Sequence, residues 1–368
     1  MIAQKINTGE SIRFSREIRR RQHKRRLLIL FTVTGISVVV GAIIGLPPLH
    51  LVPTSSIPDV NPLLGIGVSA IFALLVSSAI TASELFIFNT RRMRSLGFWL
   101  LAAIRLVVYL AIMLLVSTLN TMFIIPPELR TFQNFMQGLF ISLIVSLIFN
   151  IVFLMTFFIG TKTLFFLIRG KYHHAREEQM IIMFTDIVSS TSMAEAMSPE
   201  KFFALLSEFV YILETCASCY GGFIYKFLGD GAIVTWRAER RNFAESFAAL
   251  LELHKTLALN RDYFMKHYAF EIKITAGLHQ GAVMVGEIGD ERRELGYMGN
   301  TVNIASRLQN ACRDFTAWAL VSRIFHDELI GSIKDSDGII WRDVGALRLR
   351  GKEEEVAALE PQFAAAGE

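Results

Sequence analysis

Cysteine is nearly missing: three residues, Cys216, Cys219 and Cys312, in a chain of 368. An odd count without framework spacing excludes a small disulfide-stapled fold, and the length allows two or three domains. Cys216-x-x-Cys219 falls in a predicted helix, where residues three apart share a face. With no second pair it reads as packing rather than as a metal or redox site. Charge is also thin, at 19% of residues against 52% apolar, with a mean hydropathy of +0.44. That balance excludes an ordinary soluble protein. The net charge of +4 points to no nucleic-acid partner, because the basic residues cluster at the edges of apolar runs.

The apolar excess is confined to residues 27–168, whereas 171–368 have a mixed composition. A membrane-spanning helix takes roughly 20 mainly apolar residues. Four segments qualify, at about 27–46, 63–88, 97–117 and 136–160. Nine Lys or Arg precede the first: Lys5, Arg13, Arg16, Arg19, Arg20, Arg21, Lys24, Arg25 and Arg26. The first loop has none, the second has Arg91, Arg92 and Arg94, and the third only Arg130; Lys162, Arg169 and Lys171 follow the fourth. This alternation predicts both termini on the cytoplasmic side, with the basic N-terminus setting topology and touching anionic membrane lipid. No small-residue cleavage site follows the first segment, so it reads as an uncleaved anchor. No string of acidic or histidine residues and no pair of broken helices marks a transport pathway. Two charges lie inside the runs, Glu84 and Arg105. They either pair between helices two and three or snorkel separately to the interface.

The expected division is therefore a basic N-terminus at 1–26, a four-helix membrane domain at 27–160, a connecting helix at 161–177 and a cytoplasmic domain at 178–368. In the last, MIIMFTDIV reads as a strand and PEKFFALLSEFVYILETCASCY as a helix. GGFIYKFLGDGAIVTW reads as a hairpin, about 242–266 as a second helix and FEIKITAGLHQGAVMVGEI as a second hairpin. TVNIASRLQNAC reads as a third helix, with short strands at WALVS, GIIWRDV and LRLRG. Strand, helix, hairpin, helix, strand predicts an α+β fold of the ferredoxin-like kind, with helices on one face of an antiparallel sheet.

Three stretches carry potential chemistry. In FTDIVSST, Asp186 ends a strand and small hydroxyl residues lead into a helix. That is either a phosphate cradle or an ordinary capped helix start. In YKFLGDGAIVTW, Asp230 sits between two glycines at a hairpin. Beside Asp186 it would form a carboxylate pair at one sheet edge, whose repulsion Mg²⁺ or Mn²⁺ would reverse. In GNTVNIASR, Asn303 and Arg307 are four apart on one helix face. They suit a sugar and a phosphate, or simply a solvated face.

Taken in order, FTDIVSST, YKFLGD, GLHQG, GEIG, GNTVNIASR and LRGK resemble the class III nucleotidyl cyclases over roughly residues 171–360, most closely the bacterial membrane-bound adenylate cyclases. The resemblance implies a ferredoxin-like class III cyclase catalytic domain behind an all-α transmembrane helical anchor in a bacterial inner membrane. It implies that Asp186, Asp230 and the carbonyl of Ile187 hold two Mg²⁺ or Mn²⁺ ions. The backbone at Ile187, Ser189, Ser190 and Thr191 would cradle the triphosphate. Lys226 would read adenine, Asn303 orient the ribose and Arg307 stabilise the α-phosphate, with Arg350, or else Lys352, on the terminal phosphate. The implied reaction is attack of the ATP 3′-hydroxyl on the α-phosphorus, giving 3′,5′-cyclic AMP and pyrophosphate.

At the family's second base-reading position this chain has Gly296, with Tyr297 beside it. Glycine has no side chain to offer the base, so selectivity would rest on Lys226 or pass to Tyr297. A guanylate or other nucleotide cyclase, and an inert nucleotide-binding module, are the competing expectations. As one strand, Lys226 and Asp230 would lie about 13 Å apart at roughly 3.3 Å per residue, on one face. In the family the metal pair comes from one subunit and the lysine, asparagine and arginine from the other. The stretch would then serve two sites of a homodimer.

Overall fold

The computed structural model describes residues 12–44, 62–88, 96–123, 170–290, 294–332, 339–348 and 355–363, with a few isolated positions between. The chain divides into two compact units, Gln22–Leu164 and the combination of Met1–Arg21 with Phe165–Glu368.

In the first of these, α1 spans Arg16–Ile44, so its opening turns belong to the other unit. Helix α2 spans Pro62–Ser83 and runs on as a π-helical turn, Glu84–Phe88; α3 spans Phe98–Phe123. Ala70–Phe88 and Phe98–Leu119 are long and apolar enough to cross a membrane. Of the fourth apolar segment only Met136, Phe140, Ile144, Leu147 and Ile151 are described, all helical. The remainder lies outside the described residues.

Glu84 and Arg105 pair rather than snorkel. Arg105 Nε is 3.1 Å from Glu84 Oε1 and its Nη2 donates to Oε2 at 3.2 Å. Tyr109 donates its hydroxyl to the same carboxylate, and all three side chains are buried. Each buried charge thus has a counter-charge, the condition under which such groups are tolerated away from water.

The other unit is built on an eight-stranded sheet. Its strands are β1 (Arg176–Ile187), β2 (Phe223–Leu228), β3 (Gly231–Arg237), β4 (Ile274–Ile288), β5 (Glu294–Met298), β6 (Ala319–Ser322), β7 (Ile339–Arg348) and β8 (Glu355–Phe363). The order is β2-β3-β1-β4-β6-β8-β7, with β5 also on β4, and all pairings are antiparallel except β4 with β6. Between them lie α4 (Ser190–Glu195), α5 (Pro199–Cys219), α6 (Arg240–Leu259), α7 (Arg261–Tyr268), α8 (Asn300–Ala311) and α9 (Arg323–Ser332). The α+β expectation holds, with helices and an antiparallel-dominated sheet.

Three local readings are corrected. The expected second hairpin is one continuous strand, β4, which pairs with β1 from Arg176↔Val285 to Ile187↔Ile274. Gly277 and Gly281 do not turn the chain; they let α8 come close. A Cβ on Gly277 would lie 2.2 Å from the Ala305 carbonyl and 2.3 Å from the Gln309 amide. The helix expected at 242–266 is two helices, broken at Asn260. LRLRG is no separate strand: its described residues finish β7, while β5, β8 and α9 have no counterpart in the expected set.

Helix α5 has the length and composition of a membrane span, yet it is a core helix. Leu205, Phe209, Ile212, Leu213, Cys216 and Ala217 are buried in the main cluster with β1, β3, α6 and α7. Cys216 lies in this core and Cys219 is half-buried against it.

That cluster also contains Ile12 and Ile18, the latter fully buried. Residues 12–21 pack on α5 and α6, where composition predicted only lipid contact and topology setting.

Candidate active site

The site is assembled at the ends of β1 and the β2–β3 hairpin. Leu228 pairs with Gly231, so the connection is the two-residue loop Gly229-Asp230 rather than Asp230-Gly231. Gly229 takes φ +65°, as the first position of such a tight hairpin turn demands. A Cβ on Gly231 would lie 2.6 Å from the Thr185 carbonyl and 2.9 Å from Asp186 Oδ1. The glycine after Asp230 therefore lets the hairpin close against the end of β1, bringing the two aspartates together.

The Asp230 carboxylate lies beside that of Asp186. Burial, then the neighbouring Asp230 charge, pushes Asp186 up to about 6. Arg313, just beyond the end of α8, opposes this with Nη2 3.9 Å from Asp186 Oδ2. The Ile187 side chain is buried. After it, Ser189 adopts φ 59°, and Ser190 and Thr191 open α4; Ser189 and Thr191 are exposed. These backbone groups lie immediately beyond the carboxylates.

A carboxylate pair of this kind fits a divalent cation. Two like charges that close repel when both are ionised, and a bound cation removes the penalty. Among the described residues no group of three or more His, Cys, Asp or Glu converges. The donor set suits an ion of the Mg²⁺ type, which takes one or two carboxylates and completes its shell with water and phosphate oxygens.

Asn303 and Arg307 lie one turn apart on α8. That helix is seated on β4 by the close approach at Gly277, by Thr301 Oγ1 donating to the Ala282 carbonyl at 2.6 Å and by Gln309 Nε2 donating to Thr275 Oγ1 at 2.8 Å. Asn303 is exposed. Arg307 Nη1 is buried with no hydrogen-bond partner among the described residues. Buried donors are nearly always satisfied, and an exception asks for a ligand. Neither residue has a described hydrogen bond or ion pair to Asp186 or Asp230.

Lys226 is half exposed on β2, with Nζ 3.9 Å from Glu294 Oε2. The register shifts between Ile224 and Lys226, and the strand ends at Leu228. Lys226 and Asp230 are thus separated by a bulged strand's end and a turn, not by one straight strand. Gly296 pairs with Gly286, and the space a Cβ would take is filled by Ile288 Cδ1 at 2.0 Å. Tyr297 is only 8% exposed, its ring 4.3 Å from that of Tyr225, whose hydroxyl accepts the Tyr297 amide at 3.4 Å. The Tyr297 ring packs within the domain. Arg350 and Lys352 lie outside the described residues. Arg313 and Glu294 had no signal in the sequence, since both fall outside the motifs and meet their partners only through the fold.

Residues 172–323 match the family described as the adenylate and guanylate cyclase catalytic domain. The chain is 25% identical over 202 residues to adenylate cyclase 2 of Rhizobium meliloti (strain 1021), covering 55% of this chain and 54% of that protein. It is 28% identical over 182 residues to adenylate cyclase 1 of the same organism, covering 48% of this chain and 26% of that protein. It thus spans about half of one relative and a quarter of the other. Among solved structures, a bacterial light-regulated adenylyl cyclase superposes with a TM-score of 0.51 at 16% identity, over 60% of this chain and 63% of that one, a likeness of fold. The carboxylate pair, the seated α8 and the family match agree: residues 172–323 form a class III nucleotidyl cyclase catalytic domain.

Proposed function

We infer that the chain is a membrane-anchored adenylate cyclase, converting ATP to 3′,5′-cyclic AMP and pyrophosphate and serving signalling. The observation that carries the reading is the pairing of Asp186 at the end of β1 with Asp230 in the β2–β3 turn, where Gly231 lets the hairpin close on β1. Both carboxylates, with the Ile187 carbonyl, would hold two Mg²⁺ or Mn²⁺ ions. When bound, these would acidify the ribose 3′-hydroxyl and clamp the polyphosphate.

The chain's own residues supply the rest. The amides from Ile187 through Ser189, Ser190 and Thr191 would receive phosphate oxygens, with Arg350 on the terminal phosphate. Asn303 would hold the ribose so that its hydroxyl faces the α-phosphorus in line with the leaving pyrophosphate. The unpartnered Arg307 guanidinium nitrogen would meet the charge that builds on the α-phosphate oxygens. Lys226 would read the adenine edge.

Asn303 and Arg307 have no described contact with the carboxylates of their own chain. This supports a homodimer in which each site combines one chain's aspartates with the other's lysine, asparagine and arginine. Phe227 and Leu228, on the hairpin that carries Asp230, are 47% and 45% exposed and would be covered there. The two apolar helices of the other unit and the alternating loop charge support insertion in a bacterial inner membrane with both termini cytoplasmic.

A second reading, guanylate cyclase, is favoured by Gly296, where Ile288 occupies the space of a base-reading side chain. Turnover of ATP and GTP by the purified full chain with Mn²⁺ tests both. Cyclic AMP as the main product is expected. Cyclic GMP alone would move the assignment to GTP, and no product from any nucleoside triphosphate would leave a binding module.

A further inference from the structure

The N-terminal segment is held on the catalytic domain by contacts of several kinds. The Arg13 amide donates to Asn260 Oδ1 at 2.7 Å, and Asn260 Nδ2 donates back to the Arg13 carbonyl at 2.8 Å. Asn260 is 2% exposed and ends α6, so without residue 13 its amide would lose buried partners, a costly loss. Ser15 Oγ donates to the buried carboxylate of Glu252 at 3.1 Å and accepts the Ile18 amide at 3.2 Å, capping α1. Phe14 meets Tyr211 edge to face with centroids 5.6 Å apart. Arg21 ion-pairs with Glu245 at 2.7 Å and lies over the Tyr220 ring at 4.0 Å. Ile18 fills the core between them.

The placement of these contacts matters. Helix α5 joins the short α4 that follows Asp186 to the hairpin that carries Asp230, and α6 follows that hairpin's second strand. The segment therefore grips the two helices whose ends lead to both aspartates. On its other side it continues without a break into α1, whose later residues form the first apolar run. A continuous helix passes on rotation and axial displacement, since each residue is fixed to the next turn by hydrogen bonds.

We propose that residues 12–21 are a regulatory clasp, through which the first apolar helix acts on α5 and α6 and thereby on the spacing of Asp186 and Asp230. It is an input separate from the link that enters the domain from the fourth apolar segment. The proposal rests on the cyclase reading only for its consequence, not for its structure.

The test uses the full-length protein in lipid nanodiscs, with one to four alanines inserted after His23, between clasp and apolar run. Each alanine turns the following helix by about 100° and lengthens it by about 1.5 Å. Hydrogen exchange of the peptides holding residues 186–191 and 228–231 should follow helical phase. Two alanines should give the largest change and four a return toward the parent. Exchange that is the same in all four insertions overturns the proposal. Arg13→Pro removes the amide that Asn260 accepts and should speed exchange across residues 252–260 several-fold. Where that variant does not fold, Ser15→Ala serves, and unchanged exchange there also overturns the clasp. Neither readout involves nucleotide, so an unaltered chain that turns over no nucleotide would fault the cyclase reading alone.

Discussion

Asp186 at the end of β1 lies beside Asp230 in the turn between β2 and β3, with the Arg313 guanidinium 3.9 Å from the former. Two acidic groups that share a half-buried site destabilise each other when both are ionised. Asp230→Asn removes one of the charges. The expected result is activity reduced to background, with a melting temperature in chelator equal to or above that of the parent. The gain in melting temperature on adding Mn²⁺ should shrink. Calorimetry with and without the ion checks both directions.

Arg307 offers a buried donor without a described partner. Arg307→Ala should therefore cost about 10²–10³ in rate, the usual price of one charge-stabilising donor, while the melting temperature barely moves. Because the aspartates and Arg307 are expected to meet across two chains, mixing inactive Asp230→Ala with inactive Arg307→Ala should restore part of the activity. Silence of the mixture would remove the shared-site arrangement.

His279, in the GLHQG stretch of β4, is buried with Nδ1 2.7 Å from Ser322 Oγ. Burial lowers it to about 4. The unfolded chain, with a histidine near 6.5, binds more protons between those values, so stability rises with pH across the window and is lost as pH falls through it. The contribution is roughly 1.4 kcal/mol for each pH unit inside the window. His279→Gln should flatten this part of the melting temperature's dependence on pH between 6.5 and 4, measured against the parent in the same buffers.

The Glu84–Arg105 pair makes a test by double substitution. Either Glu84→Gln or Arg105→Gln alone strands a buried charge, which costs about 3–5 kcal/mol, and should lower the amount of folded protein in the membrane. The double variant removes both charges and should recover part of the loss. A double no better than the worse single would mean that the contact carries no coupling.

The local chemistry of this chain was readable in one dimension. Hydrophobic length marked apolar helices, short apolar runs marked β1 and, with the turn residues, the β2–β3 hairpin, and the motifs located Asp186, Asp230, Asn303 and Arg307. Each depends on residues adjacent in the chain, whose geometry follows from helix and strand periodicity. That Asp230 takes the second place of the two-residue turn rather than the first already needed the register of Leu228 with Gly231.

The remainder was set by encounters between distant residues. Gly277 looks like a turn former, yet it lies within a strand because the α8 backbone occupies the place of its side chain. Tyr297 packs its ring against Tyr225, 72 positions away. Arg313 reaches Asp186 across 127 positions of sequence, and Arg13 reaches Asn260 across 247. No periodicity encodes such distances. Composition declared the N-terminus basic, which is true of its exposed side. Only the folded core showed that Ile12, Ile18 and a backbone amide on the other side complete a surface made by α5 and α6, because burial and hydrogen-bond satisfaction are properties of the whole assembly.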